Sequence, residues 1–495
     1  MTFIDEEDLA QPWKRPAPRT GPIPGPLPKT VSVTLANGVC FAKAELPQPL
    51  ANRLIRLAAF QNPELYRAQA MRRSVWDKPR VIGRAEGFPM HLALPRGCLD
   101  AATALLRDNG IGCELHDERS DGDPIAVTFA GRLRADQEAA VTAMLAQDTG
   151  VLCAPTAFGK TVVAAAMIAR RGLSTLVLVQ RTDLLKQWQG RLGSFLDLGN
   201  GMPGTIGGGR TRPSGQIDIG VMQTLARSTE VASVVGDYGQ VIVDECHHMA
   251  ARSFESILKA VRARYVLGLT ATPIRRDGLE PIIFMQCGPL RYTAGRPAGA
   301  PHDLAVVPRE LTAPIALPPE SGIQEVFRYL ASDQARTSAI CEAIRDALGQ
   351  GRKVLVLTER TGHLEAIRQR LGDTVPNPSV LHGRMSRRQR SEVVQALDAL
   401  PPDAPRLVIA TGRLVGEGFD HPPLDTLVLA MPVSWKGTLH QYAGRLHRDH
   451  ATKADVRIID FVDRGHPALL RMWARRQRGY RTIGYRIVGQ PELPL

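Results

Sequence analysis

The sequence predicts an α/β protein: two tandem parallel-sheet domains preceded by a small mixed α+β domain. Three observations carry the prediction. Between about 131 and 290, short β-branched runs alternate with stretches suited to amphipathic helices: GVLCA (150–154), STLVLVQ (174–180), IDIGVM (217–222), QVIVDE (240–245) and YVLGLTAT (265–272). The same texture returns after a Pro-rich connector at about 294–322, in KVLVLTE (353–359), RLVIATG (406–412), DTLVLAMP (425–432) and VRIIDFV (456–462). Runs that are apolar throughout, joined by helical crossovers, belong to parallel sheets covered on both faces. The length of 495 residues also suits about three domains of roughly 150 residues each.

The elements follow in order. Residues 1–30 form a Pro-rich leader; seven prolines in 11–30 withhold ladder donors and favour polyproline conformations. From Val31, apolar residues alternate about Asn37-Gly38, a hairpin signal. A small domain runs over 31–129, with helical stretches at 48–60 and 98–109. The first large α/β domain spans 130–298, a linker 299–330, and the second large domain, with a basic C-terminal segment, 331–495. Such sheets bind ligands at the carboxyl ends of their strands, so a crevice between two of them is the expected place for a site.

Composition narrows the classes. With 44% hydrophobic and 22% charged residues, wholesale disorder and a fibrous repeat are excluded. The surplus of 62 Lys+Arg over 49 Asp+Glu, a net +13, points to a polyanionic partner, nucleic acid before an anionic membrane surface. Seven scattered cysteines with no C-x-x-C pair argue against a disulfide framework and a zinc ribbon. No apolar run approaches about 18 residues, and Met1 to Ala10 is acidic where a signal peptide would be positive, so a cytoplasmic location without a membrane partner is expected.

After GVLCA come Pro155-Thr156-Ala157-Phe158-Gly159-Lys160-Thr161 and the helix-compatible VVAAAMIARR. In this strand–loop–helix layout, backbone N–H groups and a helix N-terminus cradle phosphates, the lysine reaches the β/γ oxygens, and the threonine hydroxyl ligates Mg²⁺. Ala154 stands at the first glycine position of the strict pattern. Farther on, the apolar VIV delivers Asp244-Glu245-Cys246-His247 at its end. Adjacent acids after a buried strand are costly unless they meet a cation or polarise a water. Asp244 is expected to hold Mg²⁺ and Glu245 to orient and deprotonate the attacking water; an acidic turn capping the next helix is the plainer alternative. Nothing near Cys246 and His247 completes a tetrahedral metal set.

In the second large domain, Gln441 to Arg448 places Arg445 and Arg448 three apart, on one face of a helix. Aimed at the crevice they would stabilise a transferring phosphoryl group; a solvated basic face is the alternative. Ala410-Thr411-Gly412 and Gly416-Glu417-Gly418-Phe419-Asp420 follow another strand, and their glycines allow close backbone approach to a ligand.

Taken together and in this order, these segments resemble superfamily 2 helicases and translocases, which are built on two RecA-like domains. The resemblance implies that Gln137 reads adenine as the Q motif and that Pro155, Thr156, Ala157, Phe158, Gly159, Lys160 and Thr161 form motif I around ATP. Asp244, Glu245 and His247 match motif II as a DECH variant; Thr270-Ala271-Thr272 matches motif III, which couples the nucleotide to the nucleic acid. Gly416, Gly418 and Asp420 match motif V; Gln441, Arg445 and Arg448 match motif VI, with the arginines as fingers. ATP and Mg²⁺ are the implied cofactors, with Thr161 and Asp244 on the metal. Ala157 stands where the family usually has Gly, and Ala fits if its φ stays negative. In flavour the chain resembles the XPB-like branch, which implies a damage-recognition-like DNA-binding N-terminal domain; Arg275-Arg276-Asp277 stands where that branch has Arg-Glu-Asp. Residues 53–63 and 91–99 also resemble the helicase part of bacterial TOTE-type conflict-system proteins, which implies a role against phage or plasmid DNA.

The resemblance further implies nucleic-acid contacts at Gln180-Arg181-Thr182, Gly207-Gly208, Gln223-Thr224, Thr358-Glu359-Arg360 and Thr411-Gly412. Contacts to phosphates carry no sequence information and weaken steeply with salt. The acid-free stretch Arg464 to Arg486 interleaves seven arginines with Trp473, Tyr480 and Tyr485, either as a base-stacking surface or as a helix packing its aromatics inward. Arg67, Arg72, Arg73, Lys78 and Arg80 form a basic patch, either a duplex grip or a solvated face. The expected function is an ATP-dependent helicase or translocase acting on DNA, whether single-stranded, duplex or forked, in repair or defence beside a partner nuclease. The alternative is an ATP-gated sensor or scaffold that recruits a nuclease without unwinding.

Overall fold

The structure, a computed structural model, describes residues 22–489 except 156–157, 200, 210, 229, 249–251, 273–274, 276, 296–302, 373–374, 376–377, 402–403, 413–420, 434–438, 440–441, 445, 448–452 and 454. The chain divides near residue 295 into two compact units.

In the first unit, β1 (Thr30–Leu35) and β2 (Val39–Ala42) form the hairpin about Asn37-Gly38, with Leu35 opposite Val39 and Val33 opposite Phe41. Helices α1 (Gln48–Leu57) and α2 (Pro63–Ala70) follow. Next, β3 (His91–Leu94) extends the sheet beside β2, while α3 (Leu99–Asp108) leads into β4 (Gly112–Asp117), which pairs in parallel with β1. Alternate residues Val31, Val33 and Leu35 of β1 point inward, the period-2 pattern of a strand with one covered face. They meet Leu50 and Leu54 of α1 and Leu106 of α3 in one core, which Ile23 of the Pro-rich leader also enters.

The first large sheet is wholly parallel. After α4 (Ala135–Leu145) come β5 (Thr149–Cys153), α5 (Lys160–Arg171), β6 (Thr175–Val179) and α6 (Thr182–Phe195). Then follow β7 (Gly204–Ile206), β8 (Ile217–Val221), β9 (Gln240–Val243), α7 (Arg252–Ala260), β10 (Tyr265–Thr270), α8 (Glu280–Cys287) and β11 (Leu290–Thr293). The strands lie in the order β7-β8-β6-β9-β10-β5-β11. The central strands β6, β8 and β9 are buried along their whole length, as apolar runs between two helical layers must be.

The N-terminal domain is fixed to this sheet's helices. Arg96, almost fully buried, donates from Nη2 to the carbonyls of Leu258 (2.7 Å) and Val261 (2.8 Å), satisfying acceptors at the end of α7, and to Asn37 O (3.1 Å). A Cβ on Gly97 would lie 1.9 Å from Phe284 O of α8, so only glycine allows this approach. Arg84 pairs with Glu255 at 3.0 Å and Arg291 with Asp100 at 2.6 Å across the same junction.

The second unit repeats the plan. Its elements are β12 (Asp303–Leu311), α9 (Ile323–Ser332), α10 (Gln334–Gly349), β13 (Val354–Thr358), α11 (Thr361–Leu371), β14 (Ser379–Leu381), α12 (Arg387–Asp398), β15 (Leu407–Thr411), β16 (Thr426–Leu429), β17 (Asp455–Asp463), α13 (Pro467–Thr482) and β18 (Arg486–Ile487). The strand order β14-β15-β13-β16-β17-β12-β18 is the order of the first sheet strand for strand, again wholly parallel. Sequence reading had placed a connector where β12 lies; this strand pairs with β17 over nine residues and is the counterpart of β5.

The C-terminal aromatics are core residues. Trp473, Tyr480 and Tyr485 are buried in the cluster that includes Leu427 and Ile458, so the base-stacking reading of Arg464 to Arg486 is corrected. Arg476 and Tyr480 both donate to Asp460 Oδ2 at 2.7 Å inside this core.

Candidate functional site

Residues distant in sequence meet at the carboxyl ends of β5, β9 and β10. Helix α5 begins at Lys160 with Gly159 as its N-cap in the left-handed region (φ 88°); a Cβ there would also fall 2.5 Å from Gln137 Nε2. The first turn of this 12-residue helix has backbone N–H groups without intrahelical partners, a natural anion cradle. Lys160 Nζ donates to Ala154 O (3.1 Å) and stands 3.9 Å from Glu245 Oε1. The Oε1 of buried Gln137 accepts from Arg134 N at 3.0 Å, satisfying the N-cap N–H at the start of α4.

β9 delivers the two acids. Asp244 is buried, and its N–H still pairs with Leu178 O (3.0 Å), holding it in line with the sheet. Glu245 then turns into the left-handed region at φ 45°, which a non-glycine residue adopts only where surroundings enforce it. That turn sets its carboxylate between Lys160 and His247, whose Nδ1 lies 3.2 Å from Oε2. The same Nδ1 is 3.1 Å from Thr270 Oγ1, which accepts from Thr272 N at 3.1 Å. One chain of polar contacts thus links the acids after β9 to the threonines after β10.

Sequence reasoning missed Trp188. Its indole Nε1–H donates to Asp244 Oδ2 at 2.7 Å while Glu245 N donates to Oδ1 at 3.0 Å, so both carboxylate oxygens are oriented. A lone tryptophan six positions into an amphipathic helix reads as core, and its apolar ring is indeed buried; only the strand order places its N–H against Asp244. Burial pushes the Asp244 carboxyl up to about 6, helped by the charge of Glu245 and opposed by Trp188 and Lys160.

The residues fit a nucleoside triphosphate with Mg²⁺: the α5 N-terminus and Lys160 suit phosphate oxygens, Asp244 supplies the hard oxygens a divalent cation takes, and Glu245 stands beside Lys160 as a carboxylate that can accept a proton. Thr161 lies in the first turn of α5, on the same cradle, and Pro155 and Phe158 precede it in the loop.

A second cluster lies at the carboxyl ends of β6, β7 and β8. Arg181 caps α6 and Thr182 begins it. After β7, Gly207 and Gly208 take φ 99° and 73°; a Cβ on Gly207 would sit 2.6 Å from Thr224 Oγ1, and one on Gly208 2.7 Å from Thr182 Cγ2. Thr182, Gly208 and Thr224, predicted separately, are therefore neighbours. In the second unit, Thr358 and Thr411 end the adjacent strands β13 and β15 opposite one another. Arg360 donates to Gln324 O (3.2 Å) and, with Arg328 and Arg384, lines a cavity of about 480 Å³. A Cβ on Gly412 would overlap Tyr442 Oη, so this turn also needs glycine.

Other predicted residues lie outside the described residues: Thr156 and Ala157 in the loop, Gly416, Gly418 and Asp420 after β15, Gln441, Arg445 and Arg448 in the last motif, and Arg276. Beside the last, Arg275 donates to Asp277 through both Nε (2.9 Å) and Nη2 (2.5 Å).

Comparison with known proteins places these features in a family. Residues 130–275 match the family described as type III restriction enzyme, res subunit, and residues 335–450 match the helicase conserved C-terminal domain. The chain is a superfamily 2 helicase. Among its relatives is "Probable helicase D10" of Escherichia phage T5, 26% identical over 77% of this chain and 83% of that protein. The DNA 3'-5' translocase XPB2 of Sulfurisphaera tokodaii is 34% identical over 32% of this helicase and 35% of its own length; the DNA 3'-5' helicase XPB of Mycobacterium tuberculosis is 34% identical over 35% and 33%. The helicase thus spans most of the phage protein but about a third of each XPB protein. In fold it is similar to the type ISP restriction-modification enzyme LlaBIII bound to DNA, with a TM-score of 0.54 at 15% identity over 78% of this chain and 32% of that one. No helix among the described residues is long and apolar enough to cross a membrane.

Proposed function

We propose that this helicase hydrolyses ATP at the carboxyl end of its first large sheet and uses the cycle to move along DNA. The observation that carries the reading is the meeting of Lys160, Glu245, His247 and Thr270 at one strand edge, with Thr182, Gly208 and Thr224 on the same sheet. In this reading Lys160 and the first turn of α5 hold the β/γ-phosphates, Thr161 and Asp244 ligate the metal, Gln137 contacts adenine, and Glu245 takes the proton of the attacking water. Mg²⁺, when bound, neutralises charge on the phosphate oxygens. His247 links Glu245 to Thr270, so a change at the phosphates is felt by the segment after β10. Arg445 and Arg448 act as the fingers that stabilise transition-state charge, with Gly418, Asp420 and Gln441 beside the nucleotide. Arg181, Thr182, Gly208, Thr224, Arg360, Thr411 and Gly412 contact phosphates of the track.

A nucleic-acid track is favoured by the net charge of +13, and DNA by relatives named as acting on DNA. The XPB-like branch is favoured by the same relatives; the likeness of residues 53–63 and 91–99 to TOTE-type proteins favours work against foreign DNA, in the cytoplasm beside a nuclease. ATP turnover measured with and without DNA tests the reading. Lys160→Ala should abolish turnover, and Glu245→Gln should retain ATP binding while turnover falls by on the order of 10² to 10⁴; turnover surviving either change sinks it. Turnover without strand displacement or movement would favour a sensor over a motor.

A further inference from the structure

A tryptophan side chain gains more than most from burial, so one left in water on a rigid support is normally there to be covered by something else. Trp76 is 89% exposed. It sits between α2 and the strand Val81–Gly83 in a built loop. Lys78 N donates to Val75 O (3.0 Å), closing a tight turn with Trp76 and Asp77 at its tip. Buried Asn62 ties down the returning limb, with its side chain on Pro79 O (2.8 Å) and its backbone N on Arg80 O (3.0 Å). Lys78 is fixed by Glu64 at 2.8 Å. The outgoing limb leaves α2 through Arg72 at φ 53°, a conformation in which glycine is the usual occupant. The loop therefore presents Trp76 in a set orientation, with no ring contact to the rest of the protein among the described residues.

The chemistry around the ring selects the occupant. Met71 to Arg80 carries Arg72, Arg73, Lys78 and Arg80 against the one acid Asp77. Asp77 and Glu64 engage Lys78, whereas no side-chain partner holds Arg72, Arg73 or Arg80 among the described residues. A tryptophan that docks on a protein is usually ringed by residues that exclude water; here Asp77 and Lys78 follow the ring at the tip, and the loop's limbs carry Arg72, Arg73 and Arg80. An aromatic face flanked by free guanidinium groups is what an unpaired base and its phosphates require. Arg67 of α2 lies close enough for its charge to act on Asp277 in the loop after β10, so this edge of the N-terminal domain borders the segment that follows the threonines of the nucleotide site.

We propose that Trp76 is a stacking platform for an unpaired base of single-stranded DNA, with Arg72, Arg73 and Arg80 on the flanking phosphates. The proposal rests on the reading of the chain as a DNA-acting helicase, and it adds a contact outside both large sheets.

The test is binding of the whole protein to labelled oligo(dT), to a fork with dT arms, to oligo(U) and to a relaxed closed-circular duplex. One base–aromatic stack corresponds to roughly 5- to 150-fold in affinity. Trp76→Ala is expected to weaken oligo(dT) and fork binding within that range and leave the closed duplex unchanged; Trp76→Phe keeps most of the affinity. The Trp76→Phe protein should also lose most of the fluorescence quenching that oligo(dT) causes in the wild type. R72A/R73A should weaken binding and flatten its salt dependence. Because Trp76 is 89% exposed, DNA-free ATP turnover and thermal stability stay at wild-type values in these variants. Unchanged oligo(dT) affinity in Trp76→Ala, an equal loss on the closed duplex, or a loss confined to oligo(U) overturns the proposal. A wild-type protein that binds none of the four sinks the helicase reading instead.

Discussion

Trp188→Phe isolates a single hydrogen bond at the nucleotide site. Phenylalanine keeps most of the apolar ring that α6 buries against the sheet and removes only the indole N–H that Asp244 Oδ2 accepts at 2.7 Å. A hydrogen bond to a charged group contributes about 1.5–3 kcal/mol, and its loss leaves a buried carboxylate with one donor fewer. Removing a partner that orients a metal ligand typically lowers metal affinity by about 10- to 100-fold, which is about 1.4–2.7 kcal/mol. The two routes agree on scale, so the Mg²⁺ concentration for half-maximal ATP turnover should rise about 10- to 100-fold in Trp188→Phe. The same shift should appear without turnover, as a higher Mg²⁺ concentration needed to raise the thermal midpoint. The direction with pH is also fixed. The indole N–H favours the ionised carboxylate, so its removal pushes the Asp244 carboxyl further up and moves the acid limb of turnover to higher pH. An unchanged Mg²⁺ midpoint in a folded variant, or an acid limb moved to lower pH, would refute the reasoning.

Two further outcomes follow from buried charges. Because the Asp244 carboxyl is raised from 3.8 to about 6 in the folded protein, it contributes stability that is complete below about pH 4 and lost as pH rises through 6, on the order of 3 kcal/mol. Mg²⁺ relieves that loss, so it should raise the thermal midpoint more at pH 7.5 than at pH 5; an equal or larger effect at pH 5 contradicts this assignment. Arg476→Met leaves Asp460 buried without its cation and should destabilise the second unit by about 3–5 kcal/mol, with much of the loss recovered in Arg476→Met/Asp460→Asn, as read by chemical unfolding.

What could be read in advance was what is local. The strands β5, β6, β8, β9, β10, β13, β15, β16 and β17 are apolar runs bounded by turns, and their ends stand within three residues of the stretches the sequence marks. Asp244 and Glu245 were legible because they directly follow such a run, and Lys160 because it opens a helix after a Gly-containing loop that leaves one; the end of a parallel strand is where chemistry is placed. Residues that depend on neighbours remote in sequence were not legible. Trp188 is a core residue by every local sign, and its polar N–H acquires meaning only because β6 and β9 are adjacent in the sheet. Trp76 and Trp473 show the converse. Both lie among arginines in the sequence, yet one is exposed at a turn tip and the other is on the buried face of α13, and composition cannot separate them because it does not record which helix face meets the sheet.

β12 is the most instructive omission. DLAVVPREL carries an internal proline and three charges, and it lies in a Pro-rich stretch, so it lacks the uniform apolar character of its partners. The structure shows why this is tolerated. The two-residue β18 pairs only with Ala305 and Val306, so beyond them β12 has one strand neighbour and behaves as an edge, where a missing N–H and polar side chains are acceptable. Its first half, Leu304 to Val306, is buried like any central strand. With β12 restored, both sheets share one strand order, and β12 occupies in the second the place that β5 holds in the first. In the first sheet that position leads into Gly159-Lys160-Thr161 and the phosphate cradle; in the second it leads through Pro314, Pro318 and Pro319 into α9, with no Gly-Lys-Thr. The two sheets thus share a topology, while only the first has Gly-Lys-Thr after this strand. The phosphate cradle proposed for this helicase is therefore a feature of the first sheet alone, while Arg360, Thr411 and Gly412 at the strand ends of the second are left to the track.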